Sequence, residues 1–114
     1  TISVVIPCYN EEGNVEELAR RLKEILSRRV RGYELIFIDN KSTDHTRAIL
    51  RRLAENDPHV MALFFSRNFG HSQYGFTAGS DYATGDAVVW TDADLRDPPE
   101  VIEEFIKKVL GFDF

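Results

Sequence analysis

Short apolar runs alternate with helix-period segments along the chain. Ile2–Cys8 (ISVVIPC) is a continuous, largely β-branched run, as expected of a strand covered on both faces. Asn14 then precedes Val15, Leu18, Ala19, Leu22, Ile25 and Leu26 at helical spacing, and Glu17 stands three residues after it, the pattern of a capping box. Residues 34–39 (ELIFID) predict a second strand. Ser42 or Asp44 would start a second helix, with Ile49, Leu50 and Leu53 inward and Arg47, Arg51 and Arg52 outward. Asp57-Pro58 reads as a turn into a third strand over residues 60–65. Residues 70–84 carry Gly75, Ala78, Gly79 and Ala83, which predict a helix lying close to the sheet or to a ligand, with Gly85 as its C-terminal cap. Residues 87–91 form a fourth strand, and Pro98-Pro99 opens a last helix whose Val101, Ile102, Phe105, Ile106 and Val109 face the core.

Strand and helix alternating four times imply an α/β fold around a parallel sheet. Ligands of such sheets bind beyond the carboxyl ends of the strands. The unusual polar residues stand at those ends: Tyr9-Asn10-Glu11-Glu12, Asp39-Asn40-Lys41-Ser42, Arg67-Asn68 and Asp92-Ala93-Asp94. The four strand ends would converge on one rim.

Composition narrows the partners. A chain of 114 residues is one domain, residues 1–114, and 43% hydrophobic content is ordinary for a globular protein. The net charge of −5 argues against a nucleic-acid surface, which needs a basic face. Cys8, the one cysteine, has no partner for an internal disulfide and fits a reducing, cytosolic setting. The opening TISVVIPCYN has no basic leader, and nowhere do ~18 apolar residues run together as a membrane span requires. The first residue is Thr, and the closing GFDF alternates Phe112 and Phe114 like the start of another strand. The expectation is a piece of a larger domain whose sheet and acceptor region continue beyond it.

The usual nucleotide and metal signatures are missing. PCYNEEGN has one glycine where a dinucleotide fold wants G-x-G-x-x-G, and there is no P-loop, C-x-x-C, H-E-x-x-H or G-x-S-x-G. A phospho-accepting receiver domain would use Asp39 but lacks the acidic pair after the first strand, where Pro7-Cys8 stands. What remains is Asp92-Ala93-Asp94. Two carboxylates around a small residue past a strand can turn toward one hard cation, and oxygen ligands suit Mg²⁺ or Mn²⁺. The bland reading is that both decorate a loop while Asp97 caps the Pro98-Pro99 helix. His45, His59 and His71 are isolated and read as surface or cap residues, and Lys107-Lys108 as a solvated helix end. Cys8 has no neighbour in sequence that would activate its thiol. Trp90, ending an apolar strand, reads as core.

Taken together, SVVIPCYNEE (3–12), FIDNKSTDHT (37–46), SRNFGHSQYGFTAGSDYATGD (66–86) and DADLRDPPE (92–100) resemble the family 2 glycosyltransferases of the GT-A fold. The likeness is strongest to the branch of dolichyl-phosphate mannose synthase and the bacterial polyprenyl-phosphate sugar transferases. It covers nearly the whole chain. It implies a Rossmann-like GT-A sheet and the donor-binding half of such an enzyme. It further implies that Pro7, Tyr9 and Glu11 line a nucleoside pocket and that Asp39 bonds the base or sugar of the nucleotide. Asp92 would approach ribose and metal, Asp94 would bind the Mg²⁺ or Mn²⁺ that bridges the diphosphate, and Arg67 stands where a cation could meet phosphate or is a solvated loop arginine. Asn40 and Ala93 fall within the same two donor-site stretches. The donor would be a UDP- or GDP-linked hexose, the acceptor a polyprenyl or dolichyl phosphate, and transfer in that branch is inverting. The full-length enzyme would work at the cytoplasmic face of a membrane, reached through the part beyond residue 114.

Two departures stand out. The family usually has a second aspartate where Asn40 stands, and the lipid-phosphate branch often has Gln where Arg96 stands; an arginine cannot ligate a cation. If the acceptor is a hydroxyl, the carboxylate base that it needs belongs to the second half of the domain, so no catalytic base is assigned. Two other readings are a non-catalytic nucleotide-sugar binding module and a chain that mainly self-associates, as a homodimer or through its sheet edge at Phe112 and Phe114.

Overall fold

Apolar runs too short for helices become strands, and two amphipathic segments among the described residues become helices on one side. The computed structural model describes residues 1–66, 82–85, 87–91, 93, 101 and 104. Their elements are β1 (Ile2–Cys8), α1 (Val15–Arg29), β2 (Tyr33–Asp39), α2 (Thr46–Asn56), β3 (Val60–Phe64) and β4 (Ala87–Trp90). The four strands form one sheet in the order β3-β2-β1-β4, every pair parallel. The chain reverses its order between β1 and β4, which makes the crevice beyond their carboxyl ends the topological switch point.

The register brings the strand ends level. Cys8 pairs with Asp39 and Asp39 with Phe64, so β1, β2 and β3 end at one height. The β4 ladder stops at Trp90 opposite Val5, and Thr91 N–H donates to the Val5 carbonyl at 3.1 Å. Cys8 turns its carbonyl toward β2, accepting from Asn40 N–H, whereas Val5, on the other parity, turns toward β4. Pro7 shares the parity of Val5. Its missing N–H therefore falls on the β4 side, past the last described rung, where a strand tolerates proline.

The strands differ in burial because they differ in place. β1 is buried along its whole length. Its even-numbered residues pack with Leu35, Phe37, Leu18, Leu22, Leu26 and Leu50 between sheet and helices. Val5, Ile36 and Ile38 form a second cluster on the opposite face. β4 is an edge strand among those described and keeps only the alternate residue inside: Val89 is buried, while Val88 and Trp90 are exposed. The expectation of a core Trp90 is therefore corrected; it is 57% exposed. Val101, expected to face the core, is also exposed.

The helix starts differ from expectation in an instructive way. Asn14 makes no side-chain cap bond; its amide donates to Glu11 Oε2 at 2.8 Å. Glu17 instead meets Arg20 Nη2 at 2.5 Å and Arg21 Nε at 2.8 Å, charge-assisted contacts that outcompete the capping box. These arginines lower its pKa to about 2. The α2 helix starts at Thr46, after His45, later than either expected cap. The small-residue segment of residues 70–84 lies outside the described residues except at 82–84, as does the Pro98-Pro99 helix except at Val101 and Glu104. Gly85 comes so close to β1 that an added Cβ would lie 2.6 Å from Ser3 Oγ and 2.8 Å from Ser3 N. No helix among the described residues is long and apolar enough to cross a membrane.

At the other end of the sheet, Asp57 ties α1 to the α2–β3 turn. Lys23 Nζ lies 2.6 Å from its Oδ2, His59 N–H donates to its Oδ1 at 2.9 Å, and the His59 ring stacks on Tyr33. Burial raises the Asp57 pKa, but the Lys23 and His59 contacts outweigh it and leave it below the ordinary value. A depressed folded pKa stabilises above the unfolded value and loses that contribution as pH falls through the folded one. Asp57→Asn should therefore cost about 1 kcal/mol at pH 7. In urea unfolding followed against pH, the gap to wild type should close below about pH 4.

Candidate functional site at the switch-point rim

The loops leaving β1 and β2 turn in the same manner. Two residues beyond each strand stands a left-handed residue, Asn10 at φ 52° and Lys41 at φ 60°. Asparagine adopts this region at little cost; lysine pays about 1–2 kcal/mol there. Such strain collects where surrounding structure must hold a particular geometry.

Each loop then holds the other. Asn10 N–H donates to Ser42 Oγ at 2.9 Å, and Asn10 Oδ1 accepts from Thr43 N–H at 2.8 Å and Asp44 N–H at 3.3 Å. Glu11 N–H donates to Thr46 Oγ1 at 2.9 Å, and that hydroxyl donates to Asp44 Oδ1 at 2.5 Å. Glu12 Oε2 accepts from His45 N–H at 3.2 Å and lies 2.7 Å from His45 Nδ1. Ser42 and Asp44, read from sequence as alternative helix caps, are thus spent on the partner loop; Asp44 also accepts from Thr46 N–H at 2.9 Å. Burial raises the pKa of Asp44, and the donors from Thr46 and Glu12 more than offset it, leaving it lowered.

Asp39 stands at the floor of this clasp, fully buried at the end of β2. Its Oδ2 accepts from Ser42 N–H at 3.1 Å, and Arg47 Nε lies 3.6 Å from the same oxygen. Among the described residues Oδ1 is buried without a hydrogen-bond partner. Buried polar atoms are nearly always paired, so an oxygen left unpaired by the protein keeps acceptor capacity for a water or a ligand. Cys8 stands opposite Asp39 on β1: burial first, then the charges of Asp39 and Glu11, push its thiol well above the ordinary value.

Of the residues singled out from sequence, the structure brings Pro7, Tyr9, Glu11, Asp39 and Asn40 to this rim. Pro7 is buried in β1, Tyr9 is 45% exposed, and Glu11 has one carboxylate oxygen engaged by Asn14. Ala93, the centre of the D-x-D stretch, is buried in the larger core cluster. Asp92, Asp94, Arg67, Arg96, His71, Lys107-Lys108, Phe112 and Phe114 lie outside the described residues. Among the described residues no three His, Cys, Asp or Glu side chains group to hold a metal ion. His45 occupies the position before α2 without a side-chain cap bond, and His59 lies in the turn before β3. Arg47 was expected to point outward; its side chain is only 25% exposed and turns to Asp39. The groove between α1 and α2 is lined by charges already paired with one another, Lys23 with Asp57, Arg52 with Glu16 and Arg20 with Glu17.

Ligands of open parallel α/β sheets bind at this switch point, and comparison with known proteins narrows the class. The profile of glycosyl transferase family 2 matches residues 3–112, and the chain belongs to that family. It is 50% identical over 106 residues to an uncharacterized glycosyltransferase of Bacillus subtilis, covering 93% of this chain and 32% of that protein. It is 39% identical over 114 residues to the undecaprenyl-phosphate 4-deoxy-4-formamido-L-arabinose transferase of Klebsiella pneumoniae, covering 98% and 35%. Among solved structures, it matches a mannosyltransferase of Pyrobaculum calidifontis in complex with GDP-Man and Mn²⁺ at TM-score 0.70 and 27% identity, over 85% of this chain and 32% of that one. It also matches glucosyl-3-phosphoglycerate synthase of Mycobacterium tuberculosis, in complex with Mn²⁺, UDP and glucosyl-3-phosphoglycerate, at TM-score 0.69 and 28% identity, over 99% and 40%. The fold is that of the GT-A glycosyltransferases. The chain spans about a third of the length of the curated relatives it matches.

Proposed function

We propose that residues 1–114 form the nucleotide-sugar-binding part of a metal-dependent glycosyltransferase that transfers a hexose from a UDP- or GDP-sugar to a polyprenyl phosphate. The observation that carries the donor site is Asp39, buried at the switch point with one oxygen unpartnered among the described residues. The Mn²⁺, UDP and GDP-Man of the two structural relatives support the donor class, and the undecaprenyl-phosphate relative supports the acceptor. Action on a lipid phosphate would place the whole protein at a membrane face, the cytoplasmic one if its donor is a cytosolic nucleotide sugar.

In this reading Pro7, Tyr9 and Glu11 wall the nucleoside pocket, and Asp39 Oδ1 accepts from an N–H or O–H of the nucleoside. Asn40 sits beside it without a second charge. Arg67 would meet a phosphate with its guanidinium fork. Asp92 and Asp94, flanking Ala93, would hold Mg²⁺ or Mn²⁺; their all-oxygen donor set suits either ion. The ion, when bound, supplies Lewis-acid stabilisation to the departing diphosphate. A phosphate monoester acceptor has its second pKa near ~6 and is already largely anionic at pH 7, so no strong general base is needed from this chain.

Calorimetric titration with UDP, GDP and their hexose conjugates, with and without Mn²⁺, tests the donor site. One nucleotide should bind in a metal-dependent way, and Asp94→Ala should remove the metal-dependent part. Absence of binding under every condition would overturn the donor site in this chain. Turnover with a polyprenyl phosphate by the protein to which the chain belongs separates an enzyme from a binding module.

A further inference from the structure

Arg47 leaves the first turn of α2 and is gripped from two strands. Its Nη1 donates to the Phe65 carbonyl at 3.5 Å, and its guanidinium carbon lies 5.0 Å from the centre of the Phe64 ring, a cation–π distance. From the other side Asp39 Oδ2 faces Nε at 3.6 Å, too long for a hydrogen bond and well within ion-pair range. A carboxylate buried as completely as Asp39 needs a counter-charge and donors. Among the described residues its two partners, Arg47 and Ser42 N–H, both lie on Oδ2. That arrangement fixes the rotation of the carboxylate and leaves Oδ1 as the oxygen with unused acceptor capacity.

We propose that Arg47 is a positioning residue of the nucleotide site: it holds Asp39 by Oδ2, so that Oδ1 stays turned as the acceptor for the nucleoside. The inference rests on the donor-site reading above. Arg47 itself touches no substrate. It couples the end of β3, through Phe64 and Phe65, to the carboxylate at the end of β2. A purely structural alternative exists, in which Arg47 only fastens α2 to β3. The two differ in whether its effect on binding passes through Asp39.

A double-mutant cycle read by calorimetry with UDP and with GDP, each with Mn²⁺, separates them. Arg47→Ala should weaken binding by about 10- to 100-fold, the range for a lost bond to a charged group. Arg47→Gln, which keeps length and a donor for the Phe65 carbonyl, should lose about as much and stands in if the alanine variant fails to fold. Arg47→Lys should recover part of the affinity. Arg51→Ala should bind like wild type: its guanidinium carbon lies 5.0 Å from the same Phe64 ring, but it makes no ion pair with Asp39. In an Asp39→Asn background the further loss from Arg47→Gln should be less than about 3-fold. Additive losses in the double variant, or a charge-removing Arg47 variant that binds like wild type, would overturn the inference and leave the donor site standing. Failure of the wild-type chain to bind either nucleotide would overturn the donor site and the inference with it.

Discussion

Phe37→Ala is expected to remove about 3–5 kcal/mol of unfolding free energy, the range for truncating a fully buried aromatic. Phe37 is 0% exposed in the middle of β2, paired to Ile6 on one side and Ala62 on the other. Its ring lies in the larger cluster, among side chains of both helices and all four strands. Cavities in such a place relax poorly because the neighbours belong to different elements that cannot collapse together. A domain of ordinary stability holds only about 5–15 kcal/mol in total, so the loss is a large share. In urea the midpoint should fall with the slope unchanged. By thermal unfolding the midpoint should drop on the order of 10–20 °C. A cost below about 1 kcal/mol would mean that the cluster can repack and that β2 is not its centre.

That cluster was legible in the sequence because its signals are local. Ile2–Cys8 reads as a buried strand and is one, to the residue. Leu18, Leu22 and Leu26 read as one face of a helix and pack as one. What was not legible depends on partners remote in sequence. Trp90 ends an apolar run like that of β1, yet β4 is a described edge with one face inside, and edge position is a property of sheet order. Ser42 and Asp44 look like caps, but their oxygens serve Asn10 and Glu12, more than thirty residues earlier. Arg47 falls on a polar helical position, and its inward turn is decided by the carboxylate at the end of β2. Asp39 was named through family likeness; that its Oδ2 is engaged and its Oδ1 is not could be seen only in the fold.

The same non-local logic makes Asn10 the residue on which the rim depends. Asn10→Ala is expected to cost about 2–4 kcal/mol, from two separable sources. The first is the clasp: Oδ1 accepts from Thr43 N–H and Asp44 N–H, and its loss leaves both amides to water at about 0.5–1.5 kcal/mol each. The second is backbone strain, because alanine at φ 52° pays a left-handed penalty that asparagine largely avoids. Asn10→Gly loses the clasp and carries no strain, so it should be less damaging than alanine by about 1 kcal/mol. Equal losses in the two variants would show that residue 10 does not keep its left-handed conformation in solution. Asn10→Asp retains both the acceptor and tolerance of this conformation, but places a third charge beside Glu11 and Glu12 and a fourth with Asp44. Its deficit should be the smallest of the three and should shrink as salt screens the repulsion over a Debye length of about 8–10 Å. If the loops are clasped to hold Asp39 beneath them, nucleotide affinity should follow the same order as stability, with aspartate nearest wild type, then glycine, then alanine. Affinity unchanged across the series while stability falls would uncouple the clasp from the donor site.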